Sequence, residues 1–160
     1  MDAQHRQRAA EWLARAQQQP AHAWREWSEV GVAILPLGRR FVAPRLSEEL
    51  VHSAVGSRTP GEVAAGLEQL LDGPVIFDGR SMGGTYYPVM RPHRRDVWEH
   101  QDVAPLLAEG TFLGVPRLDR REPPGTFWAV PPRAVGDLCE PDAVDALITL
   151  ACIAARGTEQ

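Results

Sequence analysis

The residues best suited to chemistry lie in a glycine-rich stretch, Asp78 to Gly84, between two short runs of strand-forming residues. Its three glycines let the backbone come close to a ligand, and Arg80 and Ser81 place hydrogen-bond donors beside them. This combination is compatible with phosphate or nucleotide binding. Short glycine motifs are weak signals, so a turn whose glycines serve only the backbone geometry is the alternative interpretation.

The basic side chains that follow form the main concentration of positive charge. They are Arg91, His93, Arg94 and Arg95, joined by Arg117, Arg120 and Arg121 in a later loop. Planar guanidinium groups match phosphate oxygens, so this patch predicts contacts with a nucleic acid or a nucleotide. Acidic residues, including Asp96 and Asp119, lie among them, and a polar surface that neutralises itself fits the pattern equally well.

Two adjacent aromatic residues, Phe127 and Trp128, lie in a strand-like run flanked by proline pairs. Side chains alternate along a strand, so one ring is expected in the core and the other on the surface. An outward ring beside an arginine loop predicts a stacking or protein-docking surface. Cover by the C-terminal helix is the alternative for that ring.

No residue pattern predicts a metal site, a cofactor or a covalent nucleophile. The five histidines lack ligand spacing, and the sequence has no Walker motif and no Gly-x-Ser-x-Gly. Cys139 and Cys152 are too few for a disulfide framework. We expect both to be buried thiols in a reducing cytoplasm.

Length and charge define the broad class of protein. A chain of 160 residues is long enough for one domain with its own core. The net charge of −4 gives no whole-molecule attraction to nucleic acid, so binding would depend on a local patch. The N-terminus lacks a signal-peptide pattern and no apolar run approaches the roughly 20 residues of a membrane span, which predicts a cytoplasmic protein. All 17 basic residues are arginine, as is typical of GC-rich genomes such as those of actinobacteria.

Apolar periodicity and turn residues predict a mixture of helices and strands. Thr59-Pro-Gly-Glu62 gives the clearest boundary, because it combines a threonine cap, a first-turn proline and a glutamate in capping-box spacing. The predicted elements are helices within 1–30, a strand at 32–37 with a hairpin partner at 39–43, helices at 47–55 and 60–71, strands at 75–77 and 85–90, a helical turn at 103–109, strands at 111–115 and 126–130, and a helix at 141–156 ended by Gly157. This order predicts a single α/β (α+β) domain, with a mixed sheet of five or six strands within 31–132, packed helices and a C-terminal helix at 140–157.

The order of elements resembles the N-terminal domain of bifunctional DNA primase/polymerases of the archaeo-eukaryotic primase type. The resemblance covers about residues 24–132. It rests on a tryptophan-bearing helix, Gly31-Val-Ala-Ile-Leu-Pro-Leu37, the helix begun by Thr59-Pro60, the glycine-hinged strand and Gly110-Thr-Phe-Leu-Gly-Val-Pro116. It implies the fold of that family for this chain.

The family's activity depends on an Asp-x-Asp pair at the end of the strand after the glycine hinge, which holds divalent cations for nucleotidyl transfer. The corresponding stretch here, Tyr86-Tyr-Pro-Val-Met90, contains no acid. His93 and Asp96 are the candidates for the family's later histidine and third carboxylate, and neither falls in register. The resemblance therefore implies the scaffold without the metal-dependent activity.

These observations predict a non-catalytic accessory or regulatory protein that binds a nucleic acid, a nucleotide or a protein partner. Two alternatives stay open. One is a small enzyme with Asp78, Arg80, His93 and Asp96 around a cleft at the hinge, where at least one group has a perturbed pKa. The other is a protein-interaction or self-association domain that uses the Phe127–Trp128 surface.

Overall fold

The structure is a computed structural model that describes residues 2–80 and 83–158. This part of the chain folds as one α+β domain with five α-helices and eight short strands. The helices are α1 (Ala3–Ala14), α2 (Pro20–Glu29), α3 (Glu48–Val55), α4 (Pro60–Leu71) and α5 (Pro141–Thr158). The strands are β1 (Val32–Pro36), β2 (Ala43–Pro44), β3 (Leu46–Ser47), β4 (Val75–Asp78), β5 (Thr85–Pro88), β6 (Leu106–Leu107), β7 (Phe112–Pro116) and β8 (Thr126–Val130).

The strands form a four-stranded antiparallel sheet, in the order β3-β5-β4-β8, and two separate antiparallel pairs, β1-β7 and β2-β6. The predicted single sheet of five or six strands is therefore wrong. The break lies between β7 and β8, where the Trp128 N–H donates to the loop carbonyl of Arg120 at 2.8 Å instead of to β7. The Trp128 indole N–H donates to Pro116 O at 2.9 Å, so a side chain makes the contact that a strand ladder would have made.

Alternation along the four-stranded sheet builds a separate apolar core on each of its faces. On one face, Ile76 and Trp128 pack with the β1–β7 ribbon and with helices α1 and α2. On the other face, Val75 and Val130 pack with α3, α4 and α5. The four-stranded sheet is thus the middle layer, because neither side of it faces water over its length.

Local signals set several boundaries as predicted. Helix α3 begins after Ser47, whose Oγ accepts from the Leu50 N–H at 3.1 Å, and α4 spans Pro60–Leu71 with proline in its first turn. The predicted capping box at Thr59–Glu62 is wrong. The Thr59 side chain makes no capping hydrogen bond, and the Thr59 N–H instead donates to Ser57 Oγ at 3.1 Å.

Two other predictions fail because long-range strand pairing overrides the local pattern, and a third fails at the end of the last helix. Residues 39–43 do not return onto β1, because β7 takes that place and Ala43 pairs with Leu107 in β2-β6. The same pairing makes a strand of part of the predicted helical turn at 103–109. At the C-terminus, α5 continues through Gly157 to Thr158.

Candidate functional site

The structure distributes the predicted basic residues over separate depressions rather than one patch. The hinge cleft, about 210 Å³, includes Ile34, Arg45, Asp78, Arg80, Tyr87, Phe112 and Gly114 in its lining. The His93 cleft, about 540 Å³, includes Val42, His93, Arg94, Arg95, Asp96 and Glu109. The arginine groove has two adjoining sections, of about 440 and 300 Å³, and includes Arg6, Trp24, Arg117, Asp119, Arg121 and Arg133.

The hinge cleft lies where the β1–β7 ribbon and the four-stranded sheet meet near the glycine-rich stretch. Strands β4 and β5 pair antiparallel with Asp78 opposite Thr85, which confirms the two predicted strands on either side of the stretch. Alternation on β5 sends Tyr86 into the core under the helices, where burial raises its pKa to about 12. Tyr87, next in the chain, is half-buried and lines the cleft.

Asp78 and Arg80 form a bidentate ion pair at one end of the hinge cleft. The Arg80 Nε and Nη2 each lie 3.0 Å from a different oxygen of the Asp78 carboxylate. The carboxylate also accepts from the Arg80 backbone N–H at 3.0 Å and from Thr126 Oγ1 at 3.4 Å. The Arg80 guanidinium holds the pKa of Asp78 below its usual range, so this acid is a fixed anion that orients the arginine.

The opposite wall of the hinge cleft is apolar and unusually open. The outward face of the ribbon carries Ile34, 45% exposed, and Phe112, 62% exposed. Leu113, which lies between Phe112 and Gly114 on β7, points into the core. Gly114 lies opposite Ile34 in the strand pairing. A β carbon on Gly114 would lie 3.3 Å from Val32 Cγ1 and 4.0 Å from Arg80 Nη2, so a side chain here would crowd Val32 while only touching the guanidinium.

Arg45 supplies a second guanidinium to the hinge cleft. Its backbone N–H donates to Pro105 O at 2.9 Å, which fixes the chain between β2 and β3, while its side chain is exposed. Within the described residues, the Arg45 side chain has no hydrogen bond or ion pair. The cleft lining therefore has two arginines against one aspartate, and Arg45 is the cation whose donors are free for a ligand.

The His93 cleft pairs most of its basic groups with oxygen acceptors of its own lining. Arg94 binds the Asp96 carboxylate through Nε at 3.1 Å and Nη2 at 2.5 Å, and Arg95 Nη2 donates to Glu109 O at 3.2 Å. The His93 ring packs edge-on against Trp98 at 5.7 Å. This geometry favours the self-neutralised interpretation for this part of the predicted patch.

The remaining predicted arginines lie elsewhere. Arg91 Nε binds Glu140 Oε1 at 2.5 Å, next to the start of α5. Arg120 Nη2 donates to Pro124 O at 3.1 Å within its own loop. Arg117 and Arg121 line the arginine groove. Ser81 falls outside the described residues.

Phe127 and Trp128 point to opposite faces of β8, as predicted, but the exposed docking surface predicted for them is wrong. Trp128 is the inward ring, 1% exposed, so it offers no surface for docking. Phe127 points to the other face of β8, where it is half-buried and packs on Phe77 with ring centroids 5.2 Å apart. Neither ring stands free.

The four residues of the enzyme alternative do not share a cleft. Asp78 and Arg80 line the hinge cleft, whereas His93 and Asp96 line a different depression. The perturbed pKa expected of that alternative exists at Asp78, but it is lowered by an ion pair rather than raised toward neutrality. Over residues 2–80 and 83–158, no group of three histidine, cysteine, aspartate or glutamate side chains is arranged to hold a metal ion.

Sequence reasoning missed most members of the hinge cleft, among them Ile34, Arg45, Tyr87, Phe112 and Gly114. The alternation of apolar residues in β1 and β7 carried a signal for the outward positions of Ile34 and Phe112. Arg45 had no local signal, because its place in the cleft depends on the pairing of β2 and β3 with distant strands.

The structure and the comparisons leave the family open. No helix in the described part of the chain combines the length and apolar content needed to cross a membrane. Comparison of the chain with family models, curated proteins and solved structures finds no match.

Proposed function

We propose that this protein is a non-catalytic primase/polymerase-like accessory module that binds single-stranded nucleic acid at the hinge cleft. The observation that carries the proposal is the exposed Phe112 ring beside two guanidinium groups and the Tyr87 phenol. An aromatic face stacks on a base of any sequence, and arginines bind the phosphates on either side. Arg80 is oriented in advance by Asp78, which lowers the cost of ordering it on binding.

The size of the cleft supports one base of a strand over a whole dinucleotide cofactor. Pockets that enclose complete drug-sized ligands measure about 300–1,000 Å³. The hinge cleft measures about 210 Å³ and is open to solvent along Ile34 and Phe112. A single base fits such a space while the rest of the strand runs outside it.

The charges of the cleft predict modest affinity that depends on salt. Two arginines and one aspartate line it, in a protein with a net charge of −4. Each phosphate contact to a single strand contributes about 0.7 to the slope of log affinity against log salt. A slope of only one to two is therefore expected, together with a stacking contribution that salt does not screen.

The non-catalytic part of the proposal is supported by the side chains of β5, the strand that by resemblance would carry the family's Asp-x-Asp pair. Strand β5 presents Tyr87 to the cleft, and the one carboxylate among the cleft-lining residues that the structure describes is Asp78. Its oxygens are already engaged by Arg80 and Thr126. Nucleotidyl transfer needs carboxylate oxygens free to bridge divalent cations to a triphosphate.

Fluorescence polarisation of a labelled oligo-thymidylate against the purified protein, over a range of salt, tests the proposal. We expect Phe112→Ala to weaken binding about 5- to 150-fold, from a stacking contribution of about 1–3 kcal/mol. Arg45→Ala should weaken binding and reduce the salt slope by about 0.7. Ile153→Ala and Arg25→Ala are the matched controls, since they remove an exposed apolar side chain from α5 and an exposed arginine from α2.

Two results would contradict the proposal. Absence of binding at low salt, or binding that Phe112→Ala and Arg45→Ala leave at the level of the controls, would remove nucleic acid from the hinge cleft. Template-dependent extension of a primer by the pure protein with magnesium or manganese would remove the non-catalytic assignment.

A further inference from the structure

The arginine groove is a second built depression, and none of its lining residues belongs to the hinge cleft. Helices α1 and α2 form one wall, the loop after β7 forms the opposite wall, and Pro131 and Pro132 close one end. Its two sections adjoin because both include Arg6, Leu118 and Asp119. The two sections together form an elongated site, suited to an extended ligand.

Two of its arginines are fixed by the fold. Arg117 Nε donates to Asp119 Oδ1 at 2.6 Å, and Arg117 Nη1 reaches Trp27 O at 3.4 Å. Arg117 keeps its Nη2 donors for a ligand. Arg133 donates hydrogen bonds to Asp72 and Asp137, and it thereby links the end of α4 to the turn before α5.

The other two arginines make no ion pair in the described part of the chain, although, after the Arg117 guanidinium, the charge of Arg6 also contributes to lowering the pKa of Asp119. Arg6 and Arg121 are exposed, and neither side chain forms a hydrogen bond or a salt bridge within the described residues. Asp119 is the one acidic residue among the described residues that line the groove, and its carboxylate is held by Arg117, whose guanidinium lowers the pKa of that acid. The groove thus offers Arg6, Arg117 and Arg121 to an anionic ligand.

The floor between these arginines is apolar. Trp24 is half-buried and packs edge-on against Trp27 with ring centroids 5.3 Å apart, which holds its ring in place. Leu118 and the Pro131–Pro132 pair continue the apolar surface into the second section. Rows of proline and aromatic side chains suit an extended chain that inserts alternate side chains between them.

We propose that the arginine groove docks an extended peptide segment of a partner protein that combines acidic and apolar side chains. Its carboxylates pair with Arg6, Arg117 and Arg121, and its apolar side chains lie on the half-buried Trp24 and Pro131. Arginine suits this role because its planar donors engage both oxygens of a carboxylate. The inference is independent of nucleic-acid binding at the hinge cleft.

Charge magnitude favours a peptide over a nucleic acid in this groove. Nucleic-acid affinity comes mainly from neutralising a phosphate at every unit of the chain. Three available arginines, one internal carboxylate and an overall charge of −4 give little of that attraction. A peptide with a few carboxylates needs only local complementarity and gains the remainder of its affinity from the apolar floor.

Selection from a phage-displayed library of random peptides, with the full chain as bait, tests this proposal. Enriched peptides are expected to carry aspartate or glutamate together with aromatic or aliphatic residues. A synthetic, labelled copy of an enriched peptide is then titrated by fluorescence polarisation. We expect Arg6→Ala and Arg121→Ala each to weaken its binding about tenfold or more, as for loss of a charge-assisted hydrogen bond.

Arg8→Ala is the matched control, because Arg8 is an exposed arginine of the same helix as Arg6 and does not line the groove. Enrichment of no peptide, enrichment of basic peptides, or equal effects of Arg6→Ala, Arg121→Ala and Arg8→Ala would overturn the proposal. Displacement of the peptide by unlabelled oligo-thymidylate that itself requires Arg6 and Arg121 would assign the groove to nucleic acid instead. Phe112→Ala distinguishes the two sites, since it is expected to leave peptide binding unchanged.

Discussion

At the residue scale, Asp78 shows how one carboxylate can organise a site without serving as its reactive group. Its oxygens receive the Arg80 side chain, the Arg80 backbone N–H and the Thr126 hydroxyl. The side chain of Asp78 is only 17% exposed, whereas that of Arg80 is 62% exposed. The acid is therefore held by the sheet while the cation faces the cleft, which is the arrangement expected of a positioning pair.

This arrangement predicts a specific pH dependence for Asp78→Asn. The pKa of Asp78 is lowered in the folded protein, so its contribution to stability is present above the ordinary pKa near 3.8 and is lost as the pH falls through the lowered value. At neutral pH the variant should lose about 1 kcal/mol or less of unfolding free energy, because Arg80 regains water when released. Urea denaturation of both proteins across acidic pH measures the difference.

The difference between the two proteins should shrink as the solution becomes acidic. A difference that stays constant down to strongly acidic pH would contradict the ion pair as its source. Asp119→Asn is a parallel test outside the cleft lining: Arg117 also lowers the pKa of Asp119, so the stability difference of this variant should shrink in acid in the same way.

At the element scale, the β1–β7 ribbon is held to its neighbours by tryptophan side chains. The Trp27 indole N–H donates to Val115 O and the Trp128 indole N–H donates to Pro116 O, each at 2.9 Å. Both residues are buried, but Val115 also pairs with Ala33 in the β1–β7 ladder, so the Trp128 bond is the one whose loss would leave a buried carbonyl unpaired. The two bonds add to the apolar packing of Ala33, Leu35 and Leu113 that holds the ribbon in the core.

Trp128→Phe is therefore expected to cost about 2–3 kcal/mol of unfolding free energy, because it leaves the Pro116 carbonyl unpaired and a void in the core. Trp24→Phe, at a half-buried ring without an indole hydrogen bond, should cost less than about 1.5 kcal/mol. Urea denaturation followed by circular dichroism gives both values. Equal losses in the two variants would show that the indole bond contributes nothing beyond packing.

Elements defined by local residues were predicted from the sequence, whereas pairings between distant strands were not. Helix α4 was predicted to the residue, because a first-turn proline and its apolar spacing are local features. The partner of β1 was predicted wrongly, because β7 lies far along the chain and residues 39–43 are a plausible local hairpin. Arg80 could be singled out from its glycine-rich neighbourhood, whereas Arg45 could not, since its role depends on strand pairings that no local pattern encodes.

At the scale of the whole molecule, the net charge is −4, yet the hinge cleft and the arginine groove each contain more arginines than acids. The hinge cleft and the arginine groove each combine arginines with apolar side chains, while Arg91 and Arg94 outside them are paired with acids. Other exposed arginines, such as Arg8 on α1 and Arg25 on α2, line neither depression. What distinguishes the two depressions is therefore arginine beside apolar lining residues, and not positive charge alone.

The most direct test of the central claim is photo-crosslinking of an oligo-thymidylate that contains 4-thiothymidine, followed by mass-spectrometric mapping of the modified residues. We expect crosslinks in β7 and β5, centred on Phe112 and Tyr87, that disappear in excess unlabelled oligonucleotide. Crosslinks confined to the arginine groove, or to the outer surface of α5, would contradict the assignment of nucleic acid to the hinge cleft.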